Sequence, residues 1–400
     1  MNAALRWTSR FIAILMLALS LPTLAGPVDE AIRARLEPVL NSQTSRTPQA
    51  VAEFYAQRQW LPVWDETRYQ SLLSALAGTY EDGLNPEDYF LSLLRNFPAS
   101  DDPQTSAERD MLATHAYLLA LEHLFHGKVD PRQLDPHWNF NARQFDPEQG
   151  LTLARQAVEQ GNISGAFASA RPTQAQYGTL RAALARLRTA AQNGGWVTLP
   201  AGPTLKPGVS DARVRLLRQR LQQADLLPAG EAAQPELYDA TLVQAVRRFQ
   251  TESYLDVDGA VGPQTLAALN VTVEQRIEQT RVNLERARWL LHEIEDEPSV
   301  VIVDVAGYRV SYLRNGEVVW QSRVQIGKEY RATPIFQSTI TYITLSPGWV
   351  IPPGIFRNDT LPAIRRDIGY LARNKLHVYN SAGQEIPASS VNWAQPGNIT

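Results

Sequence analysis

The stretch Asn283-Leu284-Glu285-Arg286-Ala287-Arg288-Trp289-Leu290-Leu291 is soon followed by Ser299-Val300-Val301-Ile302-Val303-Asp304-Val305. Between the two, the periodicity of the chain changes. The first segment closes a helical pattern that opens near Val273 and extends to Glu293, carrying Arg281, Arg286 and Arg288 and ending in the apolar Trp289-Leu290-Leu291. The run Val300–Val305 has the composition of a buried strand, and Tyr308, Val310 and Tyr312 then alternate with polar or smaller neighbours. Asn315-Gly316 separates that alternation from Val318-Val319-Trp320. An Asn-Gly pair between two such runs predicts a tight hairpin, because both residues tolerate positive φ. Thr339 to Leu345 alternates again and is expected to form a further strand. A helical region therefore hands over to a β-sheet, and the chain reads as α+β.

Toward the N-terminus the pattern is helical throughout. In 211–270, Val214, Leu217 and Leu221 mark one apolar face. Leu242, Ala245, Val246 and Phe249 mark a second, at i, i+3, i+4 and i+7. Asp258-Gly259 is a turn, and Gly262-Pro263 opens a helix with proline in the first turn, where its missing N–H costs nothing. Leu266 and Leu269 point that helix inward, so a small helical bundle is expected. Before it, 193–210 is punctuated by Gly194-Gly195, Pro200, Gly202-Pro203 and Pro207-Gly208, and reads as a linker. Residues 28–192 form short helices cut by Asp82-Gly83-Leu84-Asn85-Pro86 and Gly127-Lys128-Val129-Asp130-Pro131. Ala116, Leu119, Ala120 and His123 repeat at helical spacing, as do Leu180, Leu184 and Leu187. Trp60, Trp64, Tyr80, Tyr89 and Trp138 are read as packing anchors.

At 400 residues the chain is too long for one ordinary domain. An apolar fraction of 44% is enough for sizeable cores. A net charge of -3 supplies no basic excess to neutralise phosphates, which argues against nucleic acid as a main partner and against strong attraction to an anionic membrane. The cysteine count of 0 excludes disulfides, thiolate metal sites and cysteine nucleophiles within these residues. At the N-terminus, Arg6 and Arg10 precede the apolar run Phe11–Leu21, then Thr23-Leu24-Ala25. Basic, apolar, then small residues is the layout of a secretory signal over 1–25, and a mature N-terminus is expected near Gly26. The apolar run is about half the ~20 residues a spanning helix needs, the alternative being an uncleaved anchor.

The ordered string Val214, Leu217, Leu221, Tyr238-Asp239, Ala245-Val246, Phe249-Gln250, Asp258 to Thr265 and Leu269-Asn270 resembles the small peptidoglycan-binding domain of many wall enzymes. Physically, most of these positions are core residues, turn glycines and a proline-started helix, so they report fold before site. From Ser299 onward the chain resembles the front part of the L,D-transpeptidase catalytic domain. The matching features are the strands around Asn315-Gly316, then Ile326-Gly327-Lys328, Arg331-Ala332-Thr333-Pro334 and Leu345-Ser346-Pro347-Gly348-Trp349-Val350-Ile351-Pro352-Pro353. Ser346 stands where the family more often has Asn. The helical region with Asp82 to Tyr89, and the helix Asn283 to Trp289, resemble the scaffold domain and the helix before the catalytic domain in the large Gram-negative members. The resemblance implies an α+β multidomain chain. A helical scaffold (28–192) and a small helical peptidoglycan-binding bundle (211–270) lead through a connecting helix (271–298) into a partial, mostly-β L,D-transpeptidase domain (299–400).

The family's chemistry, as the resemblance implies it, uses a Cys in a Ser/Thr-His-Gly-Cys motif. The thiolate attacks a stem-peptide carbonyl to form a thioester, which an acceptor amine resolves. Neither that motif nor the preceding His motif occurs here, and no catalytic residue is assigned. The family sequence continues where this one stops, so the chain is expected to be C-terminally truncated. Arg331, Thr333 and Trp349 fall in segments that the resemblance places near the donor cleft and are the candidate substrate-binding residues, although for Trp349 sheet packing is the first reading and substrate contact the second.

Other candidates have plainer readings. His115, His123 and His126 lie on one helical stretch, where packing and capping compete with metal binding, and a closed zinc site needs four ligands. No metal and no cofactor is assigned. Glu81-Asp82 with Glu87-Asp88 suggests paired carboxylates, but a turn and a cap before Tyr89 account for them. His377 has no downstream Ser-His-Gly-Cys partner. Two functions from different classes follow. One is an L,D-transpeptidase-type protein of peptidoglycan crosslinking. The other is a catalytically inactive periplasmic protein that binds peptidoglycan. Both take stem peptides and glycan as partners, and both are peripheral to the membrane at most.

Overall fold

The computed structural model describes residues 26–40, 46–134, 138–140, 143, 146–291, 298–328 and 332–397. The signal-type segment 1–25 lies outside them. The chain divides into two compact units, Met1–Phe336 and Gln337–Thr400.

In the first unit, helices α1 (Pro27–Leu40), α2 (Arg46–Ala56), α3 (Glu66–Gly78), α4 (Leu91–Arg95), α5 (Pro103–His126), α6 (Pro131–Leu134), α7 (Pro147–Glu159), α8 (Ile163–Ala170) and α9 (Ala175–Gln192) build the N-terminal region. Their starts follow local chemistry. Asp65, Asp102 and Asp146 each accept a backbone N–H of the first turn, and α5 and α7 begin with proline. One core fills the space between them, with Ile32, Phe54, Tyr55, Leu72, Leu76, Tyr89, Tyr117, Leu124 and Phe167 buried. Asp110 of α5 is buried with that core. It accepts N–H bonds from Val63 (3.0 Å) and Trp64 (2.9 Å) and the Tyr55 hydroxyl (2.6 Å), which ties the chain before α3 to α5. Trp64 and Tyr89 are buried anchors, as expected, whereas Tyr80 is exposed beneath the Arg188 guanidinium.

Helices α10 (Arg213–Gln222), α11 (Ala240–Glu252) and α12 (Pro263–Leu269) form the small bundle around Val214, Leu217, Leu221, Leu242, Val246, Phe249 and Leu269. Residues 193–209 contain no helix or strand, yet Leu199 and Leu205 are buried in the bundle core. Asn270 pairs its side chain with the Leu199 backbone at 2.9 and 2.8 Å, so the entering and leaving segments are clamped together. The next helix, α13 (Val273–Leu290), starts in a capping box between Thr272 and Gln275. It packs on α9 through Tyr177, Leu184, Leu284 and Ala287. The bundle is thus inserted between two helices that lie against each other.

Strands β1 (Ser299–Asp304), β2 (Arg309–Arg314) and β3 (Glu317–Arg323) follow as an antiparallel meander in the order β1-β2-β3. Asn315 (φ 51°) and Gly316 (φ 81°) make the β2–β3 turn, as their sequence predicts. Two expectations need correction. The Val300–Val305 run forms a strand, Ser299–Asp304, but not a buried one: Val301 and Val303 are 45% and 50% exposed, and among the described residues of this unit no second layer covers them. Thr339–Leu345, in the second unit, is not a strand. Its residues have no ladder partner among the described residues, and Tyr342 and Leu345 are more than four-fifths exposed. Alternation makes a strand only where a neighbouring backbone supplies the missing hydrogen bonds.

The second unit holds α14 (Pro353–Ile355), a π-turn at Phe356–Thr360, α15 (Leu361–Arg366) and α16 (Gly369–Arg373). They surround a small core of Ile364, Leu371 and Val378, flanked by Tyr370, Ile386 and Trp393. Helical layers plus one small sheet confirm the α+β multidomain class.

Candidate functional site

Helix α11 has two faces with different jobs. Its inner face supplies Leu242, Ala245, Val246 and Phe249 to the core. Gln250, also buried, knots the following turn: its Nε2 donates to Asp258 Oδ1 (2.8 Å) and Ala260 O (2.9 Å), and its Oε1 accepts the Gly259 N–H (2.8 Å). The Tyr238 hydroxyl donates to Gly259 O at 2.6 Å. Gly259 sits at φ +76°, against Val243 and Arg247, a position that both its backbone and its crowding reserve for glycine. The motif residues 238–265 therefore hold the turn and the core. The outer face of α11 carries Gln244, Arg247, Arg248 and Thr251 which, with Glu252 and Val257, line a shallow groove.

The residues matched to the donor cleft divide between the two units. Arg331 lies outside the described residues. Thr333, in the first unit, accepts the Gly327 N–H on its hydroxyl at 2.8 Å and so shapes the Ile326-Gly327-Lys328 segment. Trp349, in the second unit, is 67% exposed and is not a packing residue of that unit's core. His377 Nδ1 lies 2.6 Å from Glu385 Oε1 on an exposed hairpin. Among the described residues there is no thiol, and the sequence has no cysteine.

The other candidates are occupied structurally. His123 Nδ1 meets the Tyr89 hydroxyl at 3.1 Å, and burial, reinforced by the Lys128 charge, lowers its pKa to about 4. His115 packs edge-on against Phe90, and His126 against Phe125. Among the described residues no group of three or more His, Asp or Glu side chains is arranged to hold a metal. Glu87 caps Ser92 and Asp88 pairs with Lys128. Asp82 is fully buried. Arg171 grips its carboxylate through Nε (2.9 Å) and Nη2 (2.8 Å), and Tyr177 donates its hydroxyl at 3.2 Å. Arg181 Nε comes within 3.0 Å without aiming its hydrogen at the oxygen, while its Nη2 pairs with Glu81. Arg288 of α13 donates to the Asp82 carbonyl (3.1 Å) and to Tyr177 (2.8 Å), and pairs with Glu285. Sequence reading missed this network, because Asp82 and Arg288 are 206 positions apart.

Three family models match the chain in order. They are a scaffold domain over residues 49–184, a "Putative peptidoglycan binding domain" over 210–269, and an L,D-transpeptidase catalytic domain over 298–398. In domain content the chain is similar to L,D-transpeptidases that carry a scaffold and a peptidoglycan-binding domain. A curated relative, a "Putative L,D-transpeptidase" of Haemophilus influenzae, is 26% identical over 108 residues. That match covers 27% of this chain and 22% of the relative, so it spans about a fifth of the relative's length. The segment similar to the L,D-transpeptidase catalytic domain bears exposed Trp349 and, among its described residues, no thiol.

Proposed function

We propose that this chain is an exported protein of the peptidoglycan layer. Its bundle (211–270) holds the wall, and its C-terminal region (299–400) presents an L,D-transpeptidase-type surface to stem peptides. The scaffold (28–192) and the connecting helix (271–298) carry the two. The observation that supports this best is the order of the three family matches, scaffold, wall-binding and catalytic. Peptidoglycan-type domains go with an extracellular or periplasmic location. The signal-type layout of Arg6, Arg10 and Phe11–Leu21 supports the periplasm, and among the described residues no helix is long and apolar enough to cross a membrane. Arg331, Thr333 and Trp349 are proposed to contact the donor peptide.

Crosslinking by this family's chemistry needs a thiolate, and these 400 residues hold none. The chain as it stands is therefore proposed to bind without turnover. It should co-sediment with purified sacculi, and deleting 211–270 should weaken that binding. Incubation with a carbapenem should leave its mass unchanged, and no terminal D-Ala should be released. A covalent adduct, or sedimentation untouched by the deletion, would contradict the reading. The catalytically inactive wall-binding protein is the second reading. Export has its own test: protein from the periplasmic fraction should begin near Gly26 by mass spectrometry, and an intact Met1 on cytoplasmic protein would refute it.

A further inference from the structure

Four of the six arginines in 211–270 are used inside the bundle. Arg213 forks onto Asp211, Arg215 pairs with Glu236 and Arg218 with Asp239. Arg220 is buried between the Leu269 carbonyl and the face of Trp196. The remaining two, Arg247 and Arg248, are consecutive, exposed, and without an ion pair or side-chain hydrogen bond among the described residues. Glu252 stands one turn beyond Arg248 on the same groove and does not pair with it. The Asp258 carboxylate near Arg247 is already engaged: the Ala260 N–H and the Gln250 side chain donate to it and, with a smaller contribution from the Arg247 charge, hold it below the usual carboxylate range.

Position adds to this. Gln244, Arg247, Arg248 and Thr251 fall at i, i+3, i+4 and i+7, opposite the buried face of α11. They therefore share one stripe of a helix whose other side is fixed in the core. Val257 gives the groove an apolar wall, and the pinned Asp258-Gly259 turn places that wall rigidly. Two exposed guanidiniums lining one groove on a pre-organised backbone offer unpaired N–H donors, and a carboxylate accepts from such forks through charge-assisted hydrogen bonds. Gln244 adds an uncharged donor and acceptor beside them.

We propose that the outer face of α11 is the wall-binding surface of the bundle, and that Arg247 and Arg248 recognise a carboxylate of a peptidoglycan stem peptide rather than the glycan. This rests on the wall-binding reading above and names the ligand group within it. The carboxylate spans the two guanidiniums, Gln244 contacts the neighbouring peptide group, and Val257 packs against an apolar side chain of the stem.

The test uses the full chain and three preparations of sacculi: intact, carboxyl-amidated, and stripped of stem peptides with an amidase. Arg247→Gln and Arg248→Gln are combined in one variant, whose fold is checked by its urea midpoint. Lys206→Gln, outside the groove, is the control. Wild type and control should bind intact sacculi and bind amidated or peptide-stripped sacculi about tenfold more weakly. The double variant should bind all three at that weaker level. If wild type binds intact sacculi and the double variant binds them equally well, or if stripped glycan is bound as tightly as intact wall, the carboxylate site is overturned and the wall-binding reading survives. If wild type fails to bind intact sacculi, both fall.

Discussion

Asp82→Ala should destabilise the first unit by about 3–5 kcal/mol, the range for removing one partner of a buried ion pair. The carboxylate it removes is fully buried and accepts from Arg171 and Tyr177, with Arg181 alongside. Arg171 and Arg181 are partly exposed and can turn toward water, which places the loss nearer the lower end of that range. Arg288 cannot turn away. Its side chain is 1% exposed, and it shares Tyr177 with the vacated site. The damage should therefore reach α13, whose amides should exchange faster along the face that packs on α9. Glu81→Ala, one residue away and exposed, removes a surface pair with Arg181 and should cost no more than ~1 kcal/mol. Urea midpoints for the two variants give the comparison. Equal midpoints would mean that the buried network does not hold α13 to the scaffold.

How far the sequence speaks is visible in that same region. Helix α13 is legible from its period and from Thr272 and Gln275, which cap it locally. So are the bundle core and the Asn315-Gly316 turn, each set by residues within one or two turns of one another. The partner of Arg288 is not legible. The sequence places Asp82 in a turn, and only the packing of α13 on α9 shows that the turn is buried against a cation from 206 positions downstream. The insertion of the bundle is hidden for the same reason: Leu199 lies in a Gly- and Pro-rich stretch, yet it is buried and clamped by Asn270. Thr333 and Trp349, proposed as donor-peptide contacts, are picked out by their motif alone. The unpaired state of Arg247 and Arg248 is not, because it depends on where every other carboxylate in the bundle goes. The strand expected at Thr339–Leu345 fails on the same distinction, since its alternation is local and its hydrogen-bond partners are not.

That failure leads to a large expected contrast within one chain. The bundle has its apolar faces closed, with Val214, Leu217, Leu242 and Val246 fully buried. The sheet has its faces open: Val318, Val319 and Trp320 of β3 are all more than half exposed, and β1 and β3 are edges without a paired neighbour strand among the described residues. Three strands without a covered face are marginal in water, and open edges invite pairing with other chains. Limited trypsin treatment should therefore cut first beyond about Val300, at Arg309, Arg314 or Arg323, and leave a resistant N-terminal product that contains the bundle. In hydrogen exchange, the amides of Thr339–Leu345 should exchange at nearly the rate of an unstructured peptide. Those of Val246 and Phe249 should be slower by roughly a thousandfold or more, the factor that a global stability of a few kcal/mol imposes on core amides. The two measurements separate an open sheet from a closed one. If Thr339–Leu345 were as protected as the α11 core, its backbone would be paired in solution, and the open faces of β1–β3 would not be the weak point of this protein.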